Sequence, residues 1–121
     1  MNAGIEKRRH PRIPLWWPVI LRSPYRPILG TIRNISVSGA LIFCLEPIKN
    51  ENEFQIILKP PEGHEMPITC KKVWSGIKSA GNSEYNAIGV RFTKISSADR
   101  DIIDTLVAEH YGFNISELES D

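Results

Sequence analysis

Two short polar stretches in the first third of the chain carry the side chains best suited to hold an anionic ligand. The first is basic: Arg8 and Arg12 form an Arg-x-x-x-Arg pair, preceded by Lys7 and interrupted by Pro11. Arginine binds phosphate through charge-assisted hydrogen bonds, and it can meet the N7 and O6 edge of guanine with two parallel donors. This stretch therefore supplies groups that can contact a phosphate and the edge of a guanine.

The second stretch follows about one strand later and reads Asn34-x-Ser36-x-x-Gly39. In an extended chain, residues two apart point to the same side, so the amide of Asn34 and the hydroxyl of Ser36 are expected side by side. Gly39 allows the backbone to turn sharply or to adopt a positive φ without steric cost. Together with the arginine pair, this spacing predicts a binding site for a small anionic guanine nucleotide.

Each stretch alone has a more ordinary interpretation. A basic arm is usually a solvated terminus or a weak nucleic-acid patch, and Asn-x-Ser-x-x-Gly is usually a turn between strands. The sequence also contains Trp16, Trp17 and Trp74. We interpret these rings as core or barrel-rim packing rather than as a surface on which bases stack.

Short strands must position these residues. Pro11 and Pro14 exclude helix from the basic arm and keep it extended. Runs rich in β-branched and aromatic residues then alternate with turn signals, and they predict strands at about 15–22, 28–36, 39–46, 52–59, 66–76 and 84–93. Six short strands joined by tight turns indicate an antiparallel sheet closed into a barrel.

The last element is predicted to be a helix. Ser96 can act as the N-cap, with Asp99 three residues on in a capping-box arrangement. An apolar stripe follows at helical spacing, formed by Ile102, Ile103, Leu106, Val107 and Tyr111. Gly112 is suited to end the helix, and an acidic segment, 113–121, comes after it.

Charge is unevenly distributed along the 121 residues. Residues 1–36 have a balance of +6 and the remaining residues a balance of −5, which gives the net charge of +1. A basic pole on a nearly neutral body suits a compact anion better than a long polyanion, so nucleic acid is disfavoured as a ligand. The length predicts one domain.

Several classes of protein are not indicated. The apolar run 15–21 is shorter than the roughly 20 residues that span a bilayer, and no signal peptide is apparent, so we expect a cytoplasmic protein without a membrane span. The cysteines and histidines show no metal-ligand spacing, so we expect no metal and two buried, reduced thiols. Catalytic arrangements are absent from the sequence, which predicts a protein that is not an enzyme.

From Glu6 to about Tyr111 the sequence resembles the PilZ family of bacterial cyclic di-GMP receptors. The resemblance depends on the two stretches above, with support from Val73-Trp74 and from Ile88-Gly89-Val90-Arg91-Phe92. It implies a mainly β fold, a six-stranded antiparallel PilZ-type barrel with a C-terminal α-helix. We accordingly divide the chain into a basic N-terminal arm, 1–14, a barrel with its helix, 15–112, and a short acidic tail, 113–121.

The resemblance also implies which residues bind the nucleotide. Arg8 and Arg12 would hold the phosphates and the guanine edge. Asn34 and Ser36 would hydrogen-bond the guanine and a neighbouring phosphate, and Gly39 would allow close approach. The chain departs from the family in two places, because Lys7 stands where arginine is common and Asn34 stands where many members have aspartate. Lysine can meet phosphate but lacks the planar fork of arginine.

The function implied is that of a stand-alone receptor for cyclic di-GMP, with no other cofactor. Ordering of the arm over the ligand would transmit the signal to a protein partner or within a homodimer. The alternative is a PilZ-like adaptor that binds protein and no nucleotide. A small-barrel nucleic-acid binder is a third hypothesis, and it requires exposed aromatic residues along a continuous basic groove.

Overall fold

The computed structural model describes residues 11–49 and 52–112, so Lys7 and Arg8 lie outside the described residues. Seven strands and one helix follow one another along this part of the chain. They are β1 (Ile13–Pro14), β2 (Pro18–Arg22), β3 (Pro27–Ile35), β4 (Gly39–Cys44), β5 (Phe54–Leu58), β6 (Met66–Ala80), β7 (Ser83–Lys94) and α1 (Ser97–His110).

The strands form a closed antiparallel barrel, as predicted. Their order in the sheet is β1-β3-β2-β5-β6-β7-β4, and a further pairing of β3 with β4 closes the ring. Six strands are long, and the two-residue β1 was not predicted as a separate strand. β1 and β2 lie end to end along one edge of β3, because Ile13 pairs with Ile35 while Pro18 pairs with Thr31.

Buried side chains from the strands fill the barrel, and they alternate with residues that are less buried. In β5, for example, Phe54, Ile56 and Leu58 are buried while the residues between them are only half-buried. Ile32 from β3 and Ile68 from β6 are fully excluded from solvent. Period-two alternation is what places one face of each strand in a common core, and it fixes which side chains point outward.

Helix α1 packs on this core through Ile103 and Val107, which are buried. Ser96 is the N-cap, and its hydroxyl accepts a hydrogen bond from the Asp99 amide at 3.1 Å. The predicted capping box is only half formed, because the buried Asp99 carboxylate contacts His64 Nε2 at 2.7 Å instead. Gly112 follows the helix with a φ of +80°, as its predicted role requires.

The hairpin of β6 and β7 is longer than predicted. Residues 66–70 of β6 pair with β5, and pairing with β7 begins at Thr69, so residues 71–80 pair with β7 alone among the described residues. The hairpin therefore extends past the barrel, and Val73, Trp74 and Ile77 are exposed on it. Within the described residues, no helix has the length and apolar character needed to cross a membrane.

Candidate nucleotide-binding site

Arg12 and Asn34 are brought together at the edge of the barrel. An Arg12 Nη1–H donates to Asn34 Oδ1 at 3.1 Å, and both residues are half-buried. The contact follows from strand register, because β1 places Pro14 directly opposite Asn34. Sequence reasoning named both residues as ligand contacts, and the structure adds that they contact each other.

The end of the helix also reaches this point. The Tyr111 hydroxyl donates to the carbonyl oxygen of Arg12 at 3.0 Å, although 99 positions separate the two residues. Arg12 is thus held through its side chain by β3 and through its backbone by the residue that follows α1. The site lies where the basic stretch, β3 and the helix end meet.

A β-bulge in β3 sets the direction of Asn34. Ile32 pairs with Ile42 and Asn34 pairs with Leu41, so Arg33 is an extra residue without a counterpart in β4. Ile32 and Ile35 are buried while Arg33 and Asn34 between them are half-buried. The bulge therefore turns two consecutive polar side chains outward, an arrangement that strict alternation does not allow.

Ser36 is part of the turn between β3 and β4 and is fully buried. Its hydroxyl accepts from the Ser38 amide at 3.2 Å and lies 3.1 Å from the Ser38 hydroxyl, while its own N–H donates to the Gly39 carbonyl at 2.8 Å. These bonds are those of a serine turn. The structure therefore does not place the Ser36 hydroxyl beside the Asn34 amide on an exposed edge, and Ser36 acts on the loop.

Gly39 opens β4, and steric crowding explains why glycine stands there. A Cβ atom at this position would collide with the carbonyl oxygen of Val90 on β7. The expected positive φ is not observed, since the described glycines with positive φ are at 63, 81 and 112. The close approach of two backbones, and not a left-handed turn, excludes a larger residue.

Register extends the site from Asn34 across three further strands. Asn34 lies opposite Leu41, Leu41 opposite Gly89, and Gly89 opposite Trp74. Directly opposite residues share one face of a sheet, so these four form a row on the outside of the barrel. At roughly 4.8 Å between strands, the row is about 14 Å long.

Trp74 ends this row, and sequence reasoning did not name it as a site residue. Its side chain is 42% exposed, and its indole lies against Gly76, where any Cβ would lie 2.8 Å from the ring. Lys78 Nζ is 5.1 Å from the ring centroid. The sequence predicts core or barrel-rim packing for the three tryptophans. Trp17 packs against the core, whereas Trp16 is 64% exposed.

The face that carries the row is basic. Arg91 lies opposite Gly39 on one side and Lys71 on the other, and both side chains are exposed. Strands β3, β4, β6 and β7 together contain one acidic residue, Glu84. We call the outward-facing residues of these four strands the outer face. Its cations, with Arg12 at its edge, favour an anionic ligand.

Neither cysteine contributes to this site. Cys44 and Cys70 are buried free thiols in the barrel core, and burial raises the pKa of each to about 12, with a smaller effect of Glu53 on Cys70. Among the described residues, no cluster of three or more His, Cys, Asp or Glu side chains is arranged to hold a metal.

The sequence profile of the PilZ domain matches residues 6–109. No curated protein matches the chain. Among solved structures, the PilZ domain of YcgR from Escherichia coli, determined with cyclic di-GMP, superposes with a TM-score of 0.73 at 10% identity, covering 85% of this chain and 90% of that one.

Two longer proteins superpose in the same way. Inhibitor of motility MotI/DgrA from Bacillus subtilis gives a TM-score of 0.72 at 15% identity over 87% of this chain and 51% of its own. PlzA from Borreliella burgdorferi, in complex with cyclic di-GMP, gives 0.67 at 19% identity over 90% and 54%. The chain thus spans about half the length of these two proteins, and the likeness is one of fold.

Proposed function

Because the chain belongs to the PilZ domain family, we propose that it is a receptor for cyclic di-GMP that binds on the outer face beside Arg12 and Asn34. The hydrogen bond between these two side chains, at the edge of a face rich in cations, is the observation that carries the proposal. The cyclic di-GMP in the YcgR and PlzA structures supports the same ligand.

Each side chain has a separate role in this proposal. Asn34 Oδ1 accepts from Arg12, so the Asn34 amide N–H groups are directed to the ligand as donors. The Arg12 guanidinium binds a phosphate or the N7 and O6 edge of guanine. Lys7 and Arg8 supply further contacts to the phosphates. Ser36 and Gly39 position the loop and the start of β4.

Trp74 provides a stacking surface in the same proposal. A ligand that begins at Asn34 and lies along the row reaches the indole after about 14 Å. This span suits a ligand with two bases. Stacking of a base on an aromatic ring contributes about 1–3 kcal/mol. Lys78 beside the ring and Arg91 beside Gly39 are placed to neutralise phosphate charge.

Calorimetric titration of the full chain with cyclic di-GMP, cyclic di-AMP and GMP tests the proposal. We expect the strongest binding for cyclic di-GMP, because adenine presents a donor at N6 where guanine has the O6 acceptor. Equal affinity for cyclic di-AMP contradicts the assignment of Arg12 to the guanine edge. Absence of binding at high micromolar cyclic di-GMP favours the adaptor hypothesis.

Signal output in this proposal is the ordering of residues 1–10 of the N-terminal arm over bound nucleotide, because residues 12–14 are already held against β3. The ordering changes the surface seen by a protein partner or a second copy. Charge neutralisation of the arm by phosphate drives the ordering. Hydrogen exchange of the arm amides in the full chain should slow on addition of saturating cyclic di-GMP. Exchange that does not change at saturation contradicts arm ordering and leaves the binding proposal standing.

A further inference from the structure

A column of stacked side chains crosses the outer face next to the proposed nucleotide site. The Arg33 guanidinium lies between two aromatic rings, 3.8 Å from the Trp16 centroid and 4.5 Å from the Phe43 centroid. Phe43 in turn stacks on Tyr85 with centroids 5.1 Å apart and planes at 23°. We call Trp16, Arg33, Phe43 and Tyr85 the aromatic–arginine column.

The column is bordered by exposed aliphatic residues. Leu29 is 57% exposed and Leu45 is 74% exposed, and both line a shallow cavity of about 330 Å³ beside Arg33. Tryptophan, tyrosine and arginine are the residue types that dominate binding energy at protein interfaces. An exposed apolar patch of this composition is typical of an interaction surface.

The electrostatics of the column favour a carboxylate-bearing occupant. Arg33 Nε is buried and finds no hydrogen-bond acceptor among the described residues. Lys78 lies directly opposite Tyr85 and shares its face of the hairpin. Glu84, whose register partner is Ser79, lies on the other face. A buried donor without an acceptor is costly, so an occupant that brings carboxylates and apolar side chains together suits this surface.

Residues 113–121 of the same chain have this composition. They combine Phe113, Ile115 and Leu118 with three acidic residues, Glu117, Glu119 and Asp121, and contain no lysine or arginine. They begin just after Tyr111, whose hydroxyl contacts the Arg12 carbonyl. From Arg12 to Trp16 is at most about 14 Å, whereas nine extended residues reach about 30 Å.

We propose that residues 113–121 dock on the aromatic–arginine column, with apolar side chains against Trp16 and Leu29 and carboxylates toward Arg33 and Lys78. Arg33 is adjacent to Asn34 in the β3 bulge, and Lys78 lies beside Trp74, so the docked carboxylates and the phosphates of cyclic di-GMP compete for these two cations. The competition rests on the proposed function, whereas the docking does not.

The size of the effect follows from tethering. A short flexible linker gives an effective concentration in the millimolar range. If the free peptide binds the column with a Kd of about 100 μM, the ratio of docked to undocked tethered segment is about ten. Removal of its charge should then tighten nucleotide binding by up to about tenfold.

The docking is tested without nucleotide by NMR of the indole N–H of Trp16, assigned with Trp16→Phe. The tail variant Glu117→Gln/Glu119→Gln/Asp121→Asn is compared with a helix variant, Asp101→Asn/Asp104→Asn/Glu109→Gln, which makes the same charge change at exposed positions. We expect the Trp16 resonance to move in the tail variant alone. A synthetic peptide of residues 112–121 at millimolar concentration should then return it toward the wild-type position.

A Trp16 resonance that is the same in both variants and does not respond to the peptide overturns the docking. A shift that disappears on dilution overturns docking within one chain and assigns the column to the same segment of a second copy. Calorimetry with cyclic di-GMP on the same proteins tests the competition: the tail variant should bind about tenfold tighter than the helix variant. If none of the proteins binds, the proposed function fails while the NMR result still decides the docking.

Discussion

The Asn34 amide is oriented by the protein before any ligand binds. Its oxygen accepts from Arg12, so its nitrogen is the group available to a ligand. Such preorganisation reduces the entropy lost on binding. Sequence spacing could name Arg12 and Asn34 as candidate binding residues, because their chemistry is local to each side chain. It could not show their mutual contact, which depends on β1 pairing with β3.

Replacement of Arg12 should separate binding from folding. Arg12→Ala removes the proposed ligand contact and the group that orients Asn34, so we expect a loss of about 2–5 kcal/mol in affinity, thirtyfold or more. Arg12→Lys keeps the charge but not the planar fork of the guanidinium, so its affinity should lie between those of the wild type and Arg12→Ala. Calorimetry measures the affinities, and thermal unfolding measures the stability. Arg100→Ala, at an exposed position, is the control.

A normal affinity for Arg12→Ala contradicts the site assignment. A large loss of thermal stability in the same variant assigns Arg12 to folding instead of to binding.

Gly39 should be intolerant of any side chain for a steric reason. In Gly39→Val the new atoms meet the Val90 carbonyl, and we expect a destabilisation of about 1–3 kcal/mol together with weaker nucleotide binding. In Gly89→Ala the new Cβ makes only ordinary contacts, 3.6 Å from Trp74 Cβ, so its stability should stay near that of the wild type. Urea unfolding compares the two, and equal losses contradict the steric explanation.

At the scale of elements, strand existence was predictable and strand register was not. Alternation and turn signals located the six long strands, because each depends on residues close in sequence. The bulge at Arg33 and the extension of β6 to Ala80 depend on a partner strand, so they have no local signal. The aromatic–arginine column was missed for the same reason, since Trp16, Arg33, Phe43 and Tyr85 meet only through register.

The N-cap of α1 depends on residues close in sequence, and its removal should lower stability by a small amount. Ser96→Ala removes the acceptor of the Asp99 amide and should lower stability by about 1 kcal/mol, which corresponds to roughly 4 °C in Tm for a domain of this size. Ser97→Ala, at the exposed first helical residue, should change Tm little. Equal shifts in a thermal scan contradict the assignment of Ser96 as the cap.

At the scale of the molecule, the two ends of the described chain meet at the candidate site. Arg12 contacts both β3 and Tyr111, so the N-terminal stretch, the barrel and the helix end share one junction. Sequence analysis could predict the excess of positive charge in residues 1–36, because charge is additive along the chain. It did not foresee that the helix end reaches Arg12, since no pattern within α1 reports where its C-terminus lies against the barrel.

The buried thiols predict how global stability depends on pH. Burial raises the pKa of Cys44 and Cys70 from 9.0 to about 12 in the folded state. Above pH 9 the unfolded chain loses these protons and the folded chain keeps them, so stability is complete below pH 9 and falls as pH rises toward 12. Urea unfolding between pH 8 and 11 should show a shallower fall in Cys44→Ala/Cys70→Ala than in the wild type. Parallel curves contradict this cause.

The extended hairpin has a consequence for how copies of this protein behave in concentrated solution. Residues 71–80 of β6 present an edge that pairs with no other described strand, and such an edge is a template on which a foreign strand can assemble. Lys71, Lys72 and Lys78 lie along it, and lysine on an open edge opposes strand addition through repulsion and hydration. Lys71 and Lys78, which belong to the outer face that favours an anion, therefore also protect the protein from edge-to-edge aggregation.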